Sequence, residues 1–169
     1  MRILDTERLV LSQLTPGDAP FILELVNEPD WLRFIGDRNV HDLDGARAYI
    51  EKVRAEMYAR RGFGLYKVSL KSDGVPVGMC GLLKRDNLPD VDIGFAFLAR
   101  HRGRGYAREA ARASLDHGRR DYGLKRILAI TDPENVSSIR LLERLGFRFV
   151  ERLHLEGHGG DSNLYEQLA

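Results

Sequence analysis

Between Arg100 and Tyr106 the chain reads R-H-R-G-R-G-Y, after an apolar run that starts at Val91 and before an alanine-rich run from Ala107. Where a strand turns directly into a helix, the first backbone N–H groups of the helix have no intrahelical partner, and the helix end carries a partial positive charge. A turn that exposes those groups suits a phosphate, and Gly103 and Gly105 let the backbone approach one closely. Spacing excludes two common phosphate loops. A Walker-type loop ends in Gly-Lys-Ser/Thr, and a dinucleotide fingerprint needs Gly or Ala three positions after Gly105, where Arg108 stands. What is left is Arg100-x-x-Gly103-x-Gly105, which by itself also fits a solvated surface turn with glycines for geometry and arginines for solubility.

Two other groups of residues could do chemistry. Alternation along the central run puts Asp92, Gly94 and Ala96 on one face and Ile93, Phe95 and Phe97 on the other. Glycine inside a strand sacrifices packing, and a ligand beside the backbone would explain it, as would a bulge or a tight helix contact. Further on, Asn135 starts a helix with Val136, Ile139, Leu142 and Leu145 at helical offsets and Gly146 as its stop. There Asn135 reads as a cap and Ser138 as a first-turn residue. His154 and His158 flank a glycine-rich turn rather than share a helix, and no Cys or third His stands nearby, so no metal is expected.

These residues need a scaffold, and the rest of the chain reads as one. Leu9 to Leu11 is a short strand. Asp18 can cap a helix running to about Glu28, which Pro29 stops, and Trp31 to Arg38 is dense enough in apolar residues for a second short helix, with packing the first explanation of Trp31 and Phe34. Ala46, Tyr49, Ile50, Val53 and Met57 form an apolar helical stripe that ends by Gly62. Gly64–Leu70 and Val75–Leu83 read as a hairpin around Lys71-Ser72-Asp73-Gly74. A helix from Arg104 to about Tyr122 turns small residues inward and stops at Gly123; Lys125–Thr131 is a buried strand; Phe147–Leu155 and Asn163–Leu168 close the chain as a hairpin around Gly157-His158-Gly159-Gly160.

The chain has 169 residues, 43% hydrophobic and 30% charged, enough for one domain, 1–169, with a full core. With 26 basic and 25 acidic residues it lacks the basic excess that nucleic-acid binding usually leaves. Cys80 is the only cysteine, so a disulfide framework is excluded and a core position is expected for it. No run is apolar or long enough for a signal peptide or a membrane span, so a cytoplasmic protein with neither nucleic-acid nor membrane partners is expected.

Three stretches resemble the GNAT superfamily of N-acetyltransferases, in that family's order and separations. They are the opening T-E-R-L-V-L-S-Q-L-T-P-G-D-A, the Arg100-x-x-Gly103-x-Gly105 turn, and N-V-S-S-I-R-L-L-E-R-L-G-F from Asn135 to Phe147. The opening is similar to that of the branch that includes the ribosomal-protein N-terminal acetyltransferases (RimJ/RimL-like). The resemblance covers nearly the whole chain. It implies an α+β fold, with a mixed, mostly antiparallel sheet of about seven strands flanked by about four helices and splayed at its central strands. It implies acetyl-CoA as cosubstrate and direct acetyl transfer to a primary amine, on a protein N-terminus or a small molecule. The cofactor would lie along Phe97, Leu98, Arg100, Arg102, Gly103, Arg104, Gly105, Tyr106, Asn135 and Ser138. Asp92 stands where related enzymes often have a Glu base. Leu142 stands where many have a Tyr acid, which leaves Ser138 as the donor toward the departing thiolate. The same departure would suit a non-catalytic acetyl-CoA sensor or adaptor. Glu109 is expected to pair with Arg108 or Arg112, and a second copy of the chain, in a homodimer, is a candidate partner.

Overall fold

The computed structural model describes residues 1–155 and 160–169. Its centre is an eight-stranded sheet of order β1-β2-β3-β4-β5-β6-β8-β7. The strands are β1 (Arg2–Asp5), β2 (Leu9–Ser12), β3 (Leu65–Leu70), β4 (Pro76–Leu83), β5 (Asp92–Phe97), β6 (Arg126–Thr131), β7 (Arg148–His154) and β8 (Asp161–Leu168). The helices are α1 (Ala19–Leu25), α2 (Pro29–Phe34), α3 (Leu43–Val53), α4 (Tyr106–Tyr122) and α5 (Val136–Arg144). One strand exceeds the expected set: β1, a polar-ended R-I-L-D run without an alternating pattern, which exists because it pairs antiparallel with β2. The second short helix expected over Trp31–Arg38 is present as α2, but it starts earlier, because Pro29 begins a helix as well as following one; a proline at the first helical position gives up only an N–H that would be unpaired anyway.

Asp42 caps α3, its carboxylate accepting the Gly45 N–H at 2.7 Å, and Ala46, Ile50 and Val53 turn inward. The helix widens over Arg54–Ala59 so that Tyr58 reaches across to donate to the Leu65 carbonyl, at 2.5 Å, while accepting the Leu14 N–H at 3.1 Å. Helix α4 lays Ala110, Ala111 and Ser114 against the sheet, and their small size lets the helix come close to β4 and β5. The last two strands pair antiparallel as expected, with β8 between β6 and β7. Of the turn expected between them, Gly157, His158 and Gly159 lie outside the described residues.

The break in the sheet is what positions the site. On one side β5 pairs with β4 through six registered positions, from Gly78↔Phe97 to Leu83↔Asp92. On the other it meets β6, its parallel neighbour, only at Asp92↔Leu128, supported by the Leu128 N–H donating to the Val91 carbonyl at 2.9 Å. Beyond that point the two strands part, and β6 is held by β8 over its whole length instead. Every backbone polar group in the parted stretch needs another partner or water. Among the described residues no helix is long and apolar enough to cross a membrane.

Candidate active site

Two cavities occupy the parting. The larger, about 630 Å³, lies between the end of β5, the turn that opens α4, and the first turn of α5. The smaller, about 150 Å³, lies deeper between β4, β5 and β6. Trp31, Phe34, Phe95, Ala96, Asn135 and Ser138 border both, so the cavities meet at the start of α5.

The glycine turn forms one wall of the larger cavity. Gly103 and Gly105 have φ of 78° and 82°, a region that L residues with side chains enter only under strain. The backbone N–H groups of residues 103–105 have no hydrogen-bond partner among the described residues, and the first turn of α4 adds further free N–H groups. Gly103, Gly105 and Tyr106 all border the cavity. The turn is fixed from behind by a network that joins the two ends of the sequence motifs. Glu109 accepts from the Thr6 hydroxyl at 2.5 Å, from the Arg8 N–H at 2.9 Å and from Arg8 Nε at 2.7 Å, while Arg8 Nη1 donates to the Arg104 carbonyl at 2.9 Å. Glu109 therefore pairs with Arg8, not with Arg108 or Arg112. Partial burial works against its charge, but the hydrogen bonds from Thr6 and Arg8 outweigh it and hold the carboxyl below its usual range.

Several expected cofactor residues stand elsewhere. Arg100 is engaged by Glu24 and borders neither cavity, because the short turn at Ala99–His101 swings it toward α1. Leu98 is fully buried in the core, and Arg104 contributes its carbonyl to Arg8 rather than a side chain to the cavity. Arg102 borders the cavity, yet it donates to the Phe97 carbonyl at 3.0 and 2.9 Å and pairs with Asp30 at 2.5 Å, so most of its donors are spent on holding the turn. Phe97 borders the larger cavity as expected. The cations that do remain there are Arg108 and Arg144, neither of which has an acidic partner among the described residues. Arg108 was visible as the residue that breaks the dinucleotide fingerprint; Arg144, in the last turn of α5, carried no spacing signal.

Asn135 and Ser138 are brought together. Asn135 caps α5, its Oδ1 accepting the Ser138 N–H at 3.3 Å, and this leaves the Ser138 hydroxyl without a protein partner among the described residues, at the meeting point of the two cavities. Leu142, one turn further on, is 1% exposed and fills the floor of the smaller cavity.

Asp92 is the main departure from expectation. It is 0% exposed, borders neither cavity, and is held by Arg85 Nε at 3.1 and 3.2 Å. The one registered contact between β5 and β6 lies at this residue, so the position expected to carry a base is closed off by the strand pairing itself. Burial raises its carboxyl to about 6, against the pull of the Arg85 guanidinium. Gly94, on the same strand face, does border the smaller cavity, and a Cβ there would lie 3.3 Å from Leu65 and 3.4 Å from Leu83. The acid that does border the smaller cavity is Asp132, whose Oδ1 accepts the Glu134 N–H at 2.8 Å and whose carbonyl accepts the Asn135 N–H at 3.0 Å.

Cys80 is fully buried beside Ser114, its Sγ 3.5 Å from the Ser114 hydroxyl, and burial pushes the thiol up to about 12, so it is not poised as a nucleophile. His154 lies 3.7 Å from Asp161, and His158 lies outside the described residues. Among the described residues no group of three or more His, Cys, Asp or Glu side chains could hold a metal ion.

Comparison with known proteins accounts for this arrangement. Residues 8–148 match the model of the acetyltransferase (GNAT) domain. An uncharacterized protein of Bacillus subtilis (strain 168), YkkB, is 32% identical over 151 residues, covering 86% of this chain and 85% of its own. The crystal structure of an acetyltransferase from Agrobacterium tumefaciens str. C58 superposes with a TM-score of 0.82 at 26% identity, covering 98% of this chain and 94% of that one. RimL, a ribosomal L7/L12 α-N-protein acetyltransferase, shares the fold with a TM-score of 0.83 at 16% identity, over 100% of this chain and 94% of its own. The chain is a member of the GNAT acetyltransferases, enzymes that use acetyl-CoA.

Proposed function

We propose that residues 1–169 act as one acetyltransferase unit that moves the acetyl group of acetyl-CoA directly to a primary amine where the two cavities meet. The observation that carries this is the unpartnered Ser138 hydroxyl, which borders both the cavity with the free turn amides and the cavity bordered by the Asp132 carboxylate. The larger cavity suits the cofactor. The N–H groups of residues 103–105 and of the first α4 turn would hold its pyrophosphate, helped by Arg108 and Arg144. The smaller cavity takes the acceptor.

In the transfer the amine nitrogen bonds to the carbonyl carbon of the thioester, the carbon–sulfur bond breaks, and the electron pair leaves with sulfur as the thiolate. The proton lost by nitrogen goes to Asp132, directly or through one water, because it is the carboxylate bordering the acceptor cavity. The Ser138 hydroxyl donates to the sulfur as charge develops there, an interaction stronger with thiolate than with thioester and therefore one that speeds the step. With Cys80 buried and protonated, it is not poised to carry the acetyl group as an acyl-enzyme. Leu142 removes an alternative acid but leaves this donor in place, so the loss of the Tyr does not favour a sensor.

The test has two parts. Acetyl-CoA should raise the melting temperature where ATP and NAD do not, since selective binding stabilises the native state. A panel of primary amines should then release free CoA thiol, with the intact mass of the enzyme unchanged after incubation with acetyl-CoA alone. Binding without acetylation of any amine would favour the sensor reading; an acetylated enzyme would contradict direct transfer.

A further inference from the structure

The smaller cavity contains more charge than an aliphatic amine needs. Arg85 and Arg38 both border it. Arg85 spends only Nε on Asp92, which leaves the Nη donors of its guanidinium without a partner among the described residues. A guanidinium has five N–H donors and no acceptor, so four remain for something that accepts. Arg38, on the loop between α2 and α3, makes neither a hydrogen bond nor an ion pair among the described residues, and it borders the cavity together with Tyr49. Trp31 also borders the cavity; its indole N–H is buried and has no partner among the described residues. On the opposite side of the balance stands one acid, Asp132.

Two guanidinium groups against one carboxylate complement a molecule that is itself bipolar. We propose that the acceptor is a primary amine that also carries a carboxylate, of about the size of one amino acid, with the carboxylate held by Arg85 and Arg38 and the ammonium facing Asp132. This rests on the amine-acetyltransferase reading above. Size supports it, since a volume of 150 Å³, at roughly 10–15 Å³ per water-sized position, accommodates on the order of ten non-hydrogen atoms. The side chain of such an acceptor would meet Phe34, Ile35, Leu65 and Met79, which favours an apolar one. Asp92 then has a different part from the expected one. It is a positioning residue, fixing the Arg85 stem by two contacts to Nε so that the free Nη donors stay at the cavity.

The experiment compares apolar L-amino acids with their carboxamides as acceptors, following release of the CoA thiol, in the wild type, in Arg38→Gln, and in the double variant Arg85→Met/Asp92→Asn. Because each acid and its amide differ in amine basicity, the informative quantity is the acid-to-amide ratio of kcat/KM in each variant relative to the wild type. A charge-assisted hydrogen bond contributes about 1.5–3 kcal/mol, so Arg38→Gln should lower that ratio by roughly ten- to a hundredfold, chiefly through the KM of the acid. The double variant removes both members of the buried pair at once and should do the same with acetyl-CoA affinity retained; Arg38→Gln, on an exposed loop, carries the test even if the double variant fails to fold. Wild-type enzyme that acetylates amides as efficiently as acids, or ratios unchanged in Arg38→Gln, would overturn this inference while leaving amine acetylation standing. If neither acids nor amides are acetylated by enzyme that acetylates another amine of the panel, this inference fails alone; if no amine of the panel is acetylated by enzyme that binds acetyl-CoA, the amine-acetyltransferase reading fails and this proposal fails with it.

Discussion

The larger cavity has a backbone turn along one side, where the N–H groups of residues 103–105 have no partner among the described residues, whereas the smaller is walled by side chains gathered from α2, the loop after it, α3, β4 and β6. The difference is one of tolerance. A backbone site depends on φ values that only particular residues adopt, so one substitution ruins it, while a side-chain site can be retuned one residue at a time. A family that keeps one cosubstrate and varies its acceptor is served by this division.

The largest effect should therefore come from the turn. Gly103→Val or Gly105→Val forces a β-branched residue to φ near 80°, which displaces several amides together; acetyl-CoA should bind about a hundredfold more weakly by calorimetry. Arg100→Ala, by contrast, should change that affinity less than about threefold, because Arg100 serves Glu24 instead. Equal losses in the two variants would erase the distinction between backbone and side-chain recognition. Next in size is Ser138→Ala. Losing a hydrogen bond to a charged partner, about 1.5–3 kcal/mol, should slow turnover roughly ten- to a hundredfold with acetyl-CoA affinity little changed. Full turnover where chemistry limits the rate would reduce Ser138 to a residue beside a helix cap.

Asp132→Asn should lower the rate at neutral pH and recover much of it as pH rises, since a larger fraction of the amine then arrives without its proton. If Asp92→Asn shows that behaviour and Asp132→Asn does not, the base has been misassigned. The smallest effects concern pH and stability, and the buried Asp92 and the partly buried Glu109 should differ in sign. The folded-state pKa of Asp92, about 6, lies above its unfolded value of 3.8, so its contribution is present below about pH 4 and lost as pH rises to about 6. Glu109 is lowered from 4.5, so its contribution is present above that value and lost as pH falls through the folded pKa. Melting temperatures of Asp92→Asn and Glu109→Gln against pH should each remove one of these opposed slopes.

The same contrast explains what could be read from sequence. The glycine turn, α4, and the Asn135–Ser138 start of α5 were legible because their chemistry is set by residues a few positions apart: a glycine at positive φ, a cap and its first turn. The acceptor cavity was not, because Trp31, Arg38, Arg85 and Asp132 are brought together only by the parting of β5 from β6, and no local pattern reports which strands part. Asp92 shows the limit most clearly. Its alternation with Gly94 and Ala96 was read correctly as one face of a strand, but the single paired position between β5 and β6 falls there and seals it off. Arg100 misled for a related reason: the family-like motif includes it, yet Glu24, from a helix about 75 residues earlier, claims its guanidinium.

The central claim is that the reaction takes place where the cavity with the backbone turn meets the side-chain-walled one. A crystal structure with coenzyme A bound tests it most directly. The account predicts the pyrophosphate on the amides of residues 103–108 and the sulfur within hydrogen-bonding reach of the Ser138 hydroxyl, at the mouth of the cavity bordered by Trp31 and Asp132. A sulfur lying away from Ser138, with the thiol end outside the parting of β5 and β6, would contradict it.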